Sequence, residues 1–125
     1  MKVFDTVGAH VLADFWGCDF KLLNDADFLM TNLRQAAKNA NMTILAEEAH
    51  KFKPHGFTGL LLLAESHISI HTYPERGYAA VDVFTCGGGM TKKAIEHLKD
   101  VLYPTKVQET LIQRGVPDAK KLRNF

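Results

Sequence analysis

The strongest constraint in this chain is a turn, Pro74-Glu75-Arg76-Gly77, set between two stretches that read as strands. Proline presets φ for a turn, and glycine tolerates φ > 0. Before the turn, Ile68 and Ile70 alternate with Ser69 and His71, the pattern of a half-buried strand that reaches Tyr73. After it, Tyr78 to Cys86 returns as a second strand rich in β-branched and aromatic residues. An antiparallel hairpin follows, and it carries a register, because residues equally far from the turn face each other. Ten residues before Arg76 is Ser66, and ten after it is Cys86. The two should lie opposite at about 5 Å, the Cα spacing of paired strands. With His71 on the first strand and Glu65 at its edge, a hydroxyl, a thiol and an imidazole are expected in one neighbourhood, with a register that can slip by one or two residues.

The remaining segments supply what such a hairpin packs against. Ala9 to Trp16 reads as a strand ended by Gly17. Asn24 or Asp25 can cap a helix by accepting its free N–H groups, and Leu29, Leu33, Ala36, Ala37 and Ala40 then share one face. Asn39 and Asn41 mark its exit. Met42 to Phe52 begins strand-like, although Ala46 to Ala49 suits a helix equally well. Pro54 and Gly56 mark a turn. Phe57 to Ala64 is a continuous apolar run, the pattern of a strand buried on both faces. Thr91 is expected to cap a second amphipathic helix with Ile95, Leu98, Val101 and Leu102 on one face, ended by Pro104. Lys106 to Gln113 reads as an edge strand. The expected fold is α+β, a two-layer sandwich with a mainly antiparallel sheet and two helices on one face. The uncovered face calls for a partner, so a homodimer or larger homo-oligomer is expected.

A chain of 125 residues makes one domain, here 1–125, with 115–125 as a flexible basic tail carrying Lys120, Lys121 and Arg123. The net charge of +1 argues against nucleic acid or an anionic membrane as a general partner. The longest apolar run, Leu60 to Ala64, is far short of the ~20 residues that span a bilayer, and the N-terminus lacks a signal-peptide pattern. Two cysteines, Cys18 and Cys86, build no disulfide framework, so a cytoplasmic setting with a free Cys86 thiol is the expectation. A metal is not expected. His67 and His71 are four apart, which on a strand separates them by about 13 Å. Nor does a Gly-x-Ser-x-Gly elbow surround Ser66, which weakens a Ser–His hydrolase reading.

The string Glu65-Ser66-His67-Ile68-Ser69-Ile70-His71-Thr72-Tyr73-Pro74-Glu75, with Gly77 through Gly87, closely resembles the short prokaryotic S-adenosylmethionine decarboxylase proenzymes. The resemblance extends to Gly8-Ala9-His10, Trp16-Gly17-Cys18-Asp19, His50-Lys51-Phe52, Pro54 and Gly56. It covers roughly residues 5 to 103 and fades in the C-terminal fifth.

The resemblance implies a pyruvoyl-dependent carboxy-lyase. The Ser66 hydroxyl attacks the Glu65 carbonyl, the resulting ester eliminates, and the chain divides into residues 1–65 and 66–125. Residue 66 becomes a covalent pyruvoyl group, which forms a Schiff base with the substrate amine and accepts electrons as carbon dioxide leaves. His71 matches the family's processing proton carrier and Cys86 its proton donor. Phe52 matches a phenylalanine that stacks on adenine, Trp16 lies near that residue's aromatic partner, and Glu75 matches the acidic residue for the ribose hydroxyls. The product implied is the aminopropyl donor for spermidine, and relatives build each active site at a subunit interface. Thr58 stands where relatives usually carry a serine that supports processing, so slow cleavage is an expectation. Gly87-Gly88-Gly89-Met90 replaces a usually acidic segment, with no evident consequence. Decarboxylation of L-ornithine or L-arginine on the same scaffold, and an unprocessed relative that only binds ligand, are the competing readings.

Overall fold

A computed structural model describes residues 6–86 and 90–116. Gly87 to Gly89 and the basic residues Lys120, Lys121 and Arg123 lie outside these residues. The elements in chain order are β1 (Gly8–Trp16), α1 (Phe20–Leu23), α2 (Ala26–Asn39), β2 (Ile44–Lys51), β3 (Phe57–Leu63), β4 (Ser66–Tyr73), a 3-10 turn (Pro74–Arg76), β5 (Tyr78–Thr85), α3 (Thr91–Leu102) and β6 (Lys106–Arg114). The strands form one antiparallel sheet in the order β2-β3-β4-β5-β1-β6. Helices α2 and α3 pack together on one face. This is the α+β sandwich the sequence predicts, with β6 on one edge and β2 on the other.

The core lies between that face and the helices. Period-2 alternation sends Val11, Ala13 and Phe15 inward from β1, Ile68 and Ile70 from β4, and Ala79, Val81 and Val83 from β5. They meet Leu29, Leu33, Ala36 and Ala37 of α2 and Ile95, Leu98 and Leu102 of α3, all buried. Gly59 lets α2 approach β3 closely: a Cβ there would stand 2.9 Å from Met30 Sδ and 3.0 Å from Leu33 Cδ1.

Several details differ from the sequence reading. β3 is not buried on both faces: Phe57, Leu61 and Leu63 face the helices, while Leu60 is 44% and Leu62 53% exposed. An apolar run reports hydrophobicity on both faces, but within one chain the helices cover only one of them. Thr91 does not cap α3. Met90 holds the cap position without a side-chain bond, and Thr91 is the first helical residue, buried. Asp25, not Asn24, caps α2 by accepting the Phe28 N–H at 3.0 Å. Asn24 closes the short α1, whose single turn is too brief for periodicity to announce, and its Oδ1 accepts the Gly56 N–H at 3.1 Å. The ambiguous segment around Ala46 to Ala49 is strand β2.

The Pro74–Gly77 connection forms as expected, with Gly77 at φ 62° ending the turn. The hairpin register is offset by one residue from the count. Ser66 pairs with Thr85, placing Cys86 one position beyond. The 3-10 turn is closed at Tyr73↔Tyr78 rather than being symmetric about Arg76.

Candidate active site

Ser66 opens β4 immediately after a tight two-residue connection, Ala64–Glu65, from β3. The Glu65 side chain accepts the Thr43 N–H at 3.2 Å, which ties the connection to the start of β2. On the other side the Glu65 carbonyl oxygen accepts two donors from residue 86, the backbone N–H at 3.2 Å and the Sγ–H at 2.9 Å. The Ser66 hydroxyl lies 4.0 Å from Cys86 Sγ. A nucleophilic hydroxyl therefore adjoins a carbonyl whose oxygen is already held by two donors, the arrangement that stabilises negative charge developing on that oxygen.

His71 does not join this group. It is five residues along the same strand from Ser66, about 16 Å at the usual strand rise. Its Nδ1 lies 3.0 Å from Thr58 Oγ1, across the β3–β4 pairing that sets Thr58 opposite His71. Two adjoining depressions, of about 580 and about 500 Å³, meet at His71, Tyr73 and Glu75. Trp16 lines the first; Phe52 and Thr58 line the second. The residues expected to carry the chemistry thus fall into two clusters. One holds Glu65, Ser66 and Cys86. The other holds Trp16, Phe52, Thr58, His71 and Glu75.

The second cluster has groups that sequence reasoning passed over. Trp16 stacks on Tyr78 at 4.2 Å between ring centroids, and Tyr78 stacks in turn on Tyr73 at 5.6 Å. The Tyr78 hydroxyl donates to Asp14 at 2.5 Å. Burial and the neighbouring Asp14 carboxylate push the Tyr78 phenol up to about 12, so it remains a neutral donor. Glu75 lies 3.4 Å from His55 Nε2. The signal for the aromatic stack was the pairing itself, since Tyr73 and Tyr78 flank the turn that was read correctly. Cys18 is buried, and burial pushes its thiol up to about 11, so it is no rival to the exposed Cys86 as a reactive group.

A third cluster on the open face was also missed. Asp82 Oδ2 receives His10 Nε2 at 2.7 Å and His67 Nε2 at 2.9 Å, while Ser69 Oγ donates to Oδ1. Burial works against the charged carboxylate, but the bonds from Ser69, His67 and His10 outweigh it and hold Asp82 below the usual carboxylate range. Its signal was a lone carboxylate in an otherwise apolar strand. The three ligand atoms lie within 4.8 Å of one another, a spacing a divalent ion could bridge. However, Arg114 Nη1 sits 3.3 Å from His10 Nδ1, and a guanidinium can only donate. That leaves the imidazole proton on Nε2, aimed at Asp82, and the cluster closes as a hydrogen-bonded network.

Comparison with known proteins identifies the family and the fold. Residues 9–115 match the S-adenosylmethionine decarboxylase family. A protein named S-adenosylmethionine decarboxylase proenzyme from Sulfurihydrogenibium sp. is 48% identical over 112 residues, 89% of this chain and 84% of its own. One of the same name from Synechococcus sp. is 56% identical over 97 residues, 77% of this chain and 76% of its own. The crystal structure of the adenosylmethionine decarboxylase from Aquifex aeolicus superposes with a TM-score of 0.84 at 38% identity, covering 91% of this chain and 95% of that one. The chain belongs to the S-adenosylmethionine decarboxylase family.

Proposed function

We propose that this protein cleaves itself between Glu65 and Ser66 and then decarboxylates S-adenosylmethionine, yielding the aminopropyl donor used in spermidine synthesis. The observation that carries the reading is the Glu65 carbonyl: its oxygen accepts two donors from Cys86, and the Ser66 hydroxyl stands beside it. Attack by Oγ converts the amide to an ester as the C–N bond breaks. Elimination then frees the Glu65 carboxylate, and hydrolysis of the resulting dehydroalanine releases ammonia and leaves a ketone at residue 66. That ketone supplies the electron sink for decarboxylation. In this reading Cys86 returns a proton to the substrate carbon, and the aromatic and acidic groups of the second cluster suit the adenine, ribose and sulfonium of the substrate.

The separation of the clusters supports a site shared between two copies of the chain. Ser66 and Cys86 of one copy would meet His71, Thr58, Phe52 and Glu75 of another. The open sheet face, where Leu12, Leu60, Leu62 and Ile112 are exposed, is the apolar surface such a homodimer would cover. The proposed setting is the cytoplasm. Among the described residues no helix is long and apolar enough to cross a membrane.

Mass spectrometry tests the cleavage, which should yield chains 1–65 and 66–125, the second reducible by borohydride in the presence of substrate. Carbon dioxide release from S-adenosylmethionine, L-ornithine and L-arginine tests the substrate; turnover of a basic amino acid alone overturns the proposal. Co-expressing His71→Ala with Cys86→Ala tests the shared site. Each variant alone is expected to be inactive, whereas the mixed dimer regains one intact site. No recovery would mean that each chain works alone.

A further inference from the structure

The self-cleavage proposed above poses a mechanical problem. Cutting at Glu65–Ser66 turns the first residue of β4 into a chain end, and chain ends fray unless they are tied down. Yet that end would carry the reactive ketone, which has to be held still against the substrate. The backbone alone gives little hold there. Ser66 pairs with Thr85 on the β5 side, but the ladder to β3 begins only with His67 opposite Leu62.

The residue attached to the new end is His67, and its side chain is fastened across the sheet. Its Nε2 meets Asp82 of β5 at 2.9 Å; the same carboxylate oxygen takes His10 of β1 at 2.7 Å; and Arg114 of β6 reaches His10 Nδ1 at 3.3 Å and lies 4.5 Å over the Phe84 ring. Phe84 packs against both imidazoles, 6.0 Å from His67 and 5.3 Å from His10. Ser69, two residues further along β4, donates to the other oxygen of Asp82. Two side chains of the first four residues of β4 are thus pinned to one half-buried carboxylate.

Ownership after cleavage makes the arrangement informative. His67, Ser69, Asp82 and Arg114 belong to 66–125, while His10 belongs to 1–65. The network therefore ties the new end both to its own hairpin and to the other chain. We infer that the His10–Asp82–His67 network is a clamp that holds the cleaved end of β4 in place, making His67 and Asp82 positioning residues for the group at residue 66. This rests on cleavage at Glu65–Ser66.

Hydrogen exchange read by mass spectrometry tests the clamp against the uncleaved Ser66→Ala protein. In the wild-type cleaved protein, the amides of residues 67–69 should stay protected to within about threefold of Ser66→Ala. The substitution His67→Phe keeps a ring against Phe84 but removes the bond to Asp82. It should speed exchange at 68–70 by about tenfold or more in the cleaved protein, and by less than about twofold in the Ser66→Ala background, where the intact chain holds the strand. An ordinary packing role would speed both alike, and that result overturns the inference, as does free exchange at 67–69 in the cleaved wild type. Should His67→Phe not cleave, Asp82→Asn is read in the same way, and the wild-type comparison decides regardless. Steady-state kinetics of the cleaved variant should show a roughly tenfold lower kcat with KM within about twofold. A mass spectrum showing only intact chain would defeat the cleavage reading; a cleaved chain with frayed β4 defeats the clamp alone.

Discussion

At the scale of single residues, position along a strand matters as much as chemical type. Thr58 and His71 face each other across β3 and β4 with 3.0 Å between hydroxyl and imidazole. The methyl of threonine restricts χ1, which limits how that hydroxyl can turn toward a proton acceptor. Thr58→Ser is therefore expected to cleave itself at least as fast as the wild type, and Thr58→Val to slow cleavage by about 10–100-fold, followed as band conversion on a denaturing gel. Rapid, complete cleavage of the wild type would remove the expectation that threonine slows processing. Cys86→Ala should lower decarboxylation by about 10²–10⁴-fold in whatever fraction is cleaved, if its thiol is the proton donor. Asp82 adds a pH dependence. Its carboxyl is held below its ordinary value in the fold, so its stabilising contribution is fully present above the unfolded-state value of 3.8 and is lost as pH falls through the folded one. Acid titration followed by circular dichroism should show a component below about pH 4 that Asp82→Asn lacks.

Among the elements, β3 and α2 approach each other closely at Gly59. Gly59 is buried where β3 passes beneath α2, and a methyl there would meet Phe57 Cε2 at 2.7 Å as well as the Met30 and Leu33 side chains. Gly59→Ala is expected to destabilise the protein by about 1–3 kcal/mol, the usual cost of overpacking, measured as a lower urea midpoint with unchanged slope. An unchanged midpoint would mean that α2 shifts away at no cost. The same strand carries Thr58 on its open side, so a displaced β3 is also expected to loosen the Thr58–His71 contact.

For the whole molecule, sheet order decides what happens after a cut at residue 65. Chain 1–65 would own β1, β2 and β3, and chain 66–125 would own β4, β5 and β6. In the sheet they interleave, because β1 lies between β5 and β6 and β3 lies beside β4. Helices α2 and α3, one from each chain, also pack together. The two pieces should co-migrate on native gel filtration and separate only in denaturant; dissociation under native conditions would contradict the interleaved sheet. The exposed leucines of the open face make a matching expectation for assembly. Leu62→Asp should weaken self-association, read by sedimentation velocity, while the isolated chain keeps its circular dichroism spectrum.

Local pattern was enough to announce the hairpin. Pro74 and Gly77 commit the backbone to a turn, alternation at Ile68 and Ile70 sets the inward face, and the run from Glu65 to Glu75 carries the family resemblance. Helices α2 and α3 were likewise legible from apolar residues at three- and four-residue spacing, because a covered helix face needs that period, whereas the single turn of α1 was not. The hairpin count also brought Cys86 beside Ser66 and Glu65, one residue out of register; tertiary structure decided which other groups meet. Residues five apart on an extended strand are carried about 16 Å apart, so Ser66 and His71 separate however close they stand in sequence. Cross-strand pairing instead brings Thr58 to His71, and His10 and His67 to Asp82. Those encounters are set by the hydrogen-bond register between neighbouring strands and, for His10, by the pairing of β1 with the distant β5, and spacing along one strand holds no record of either.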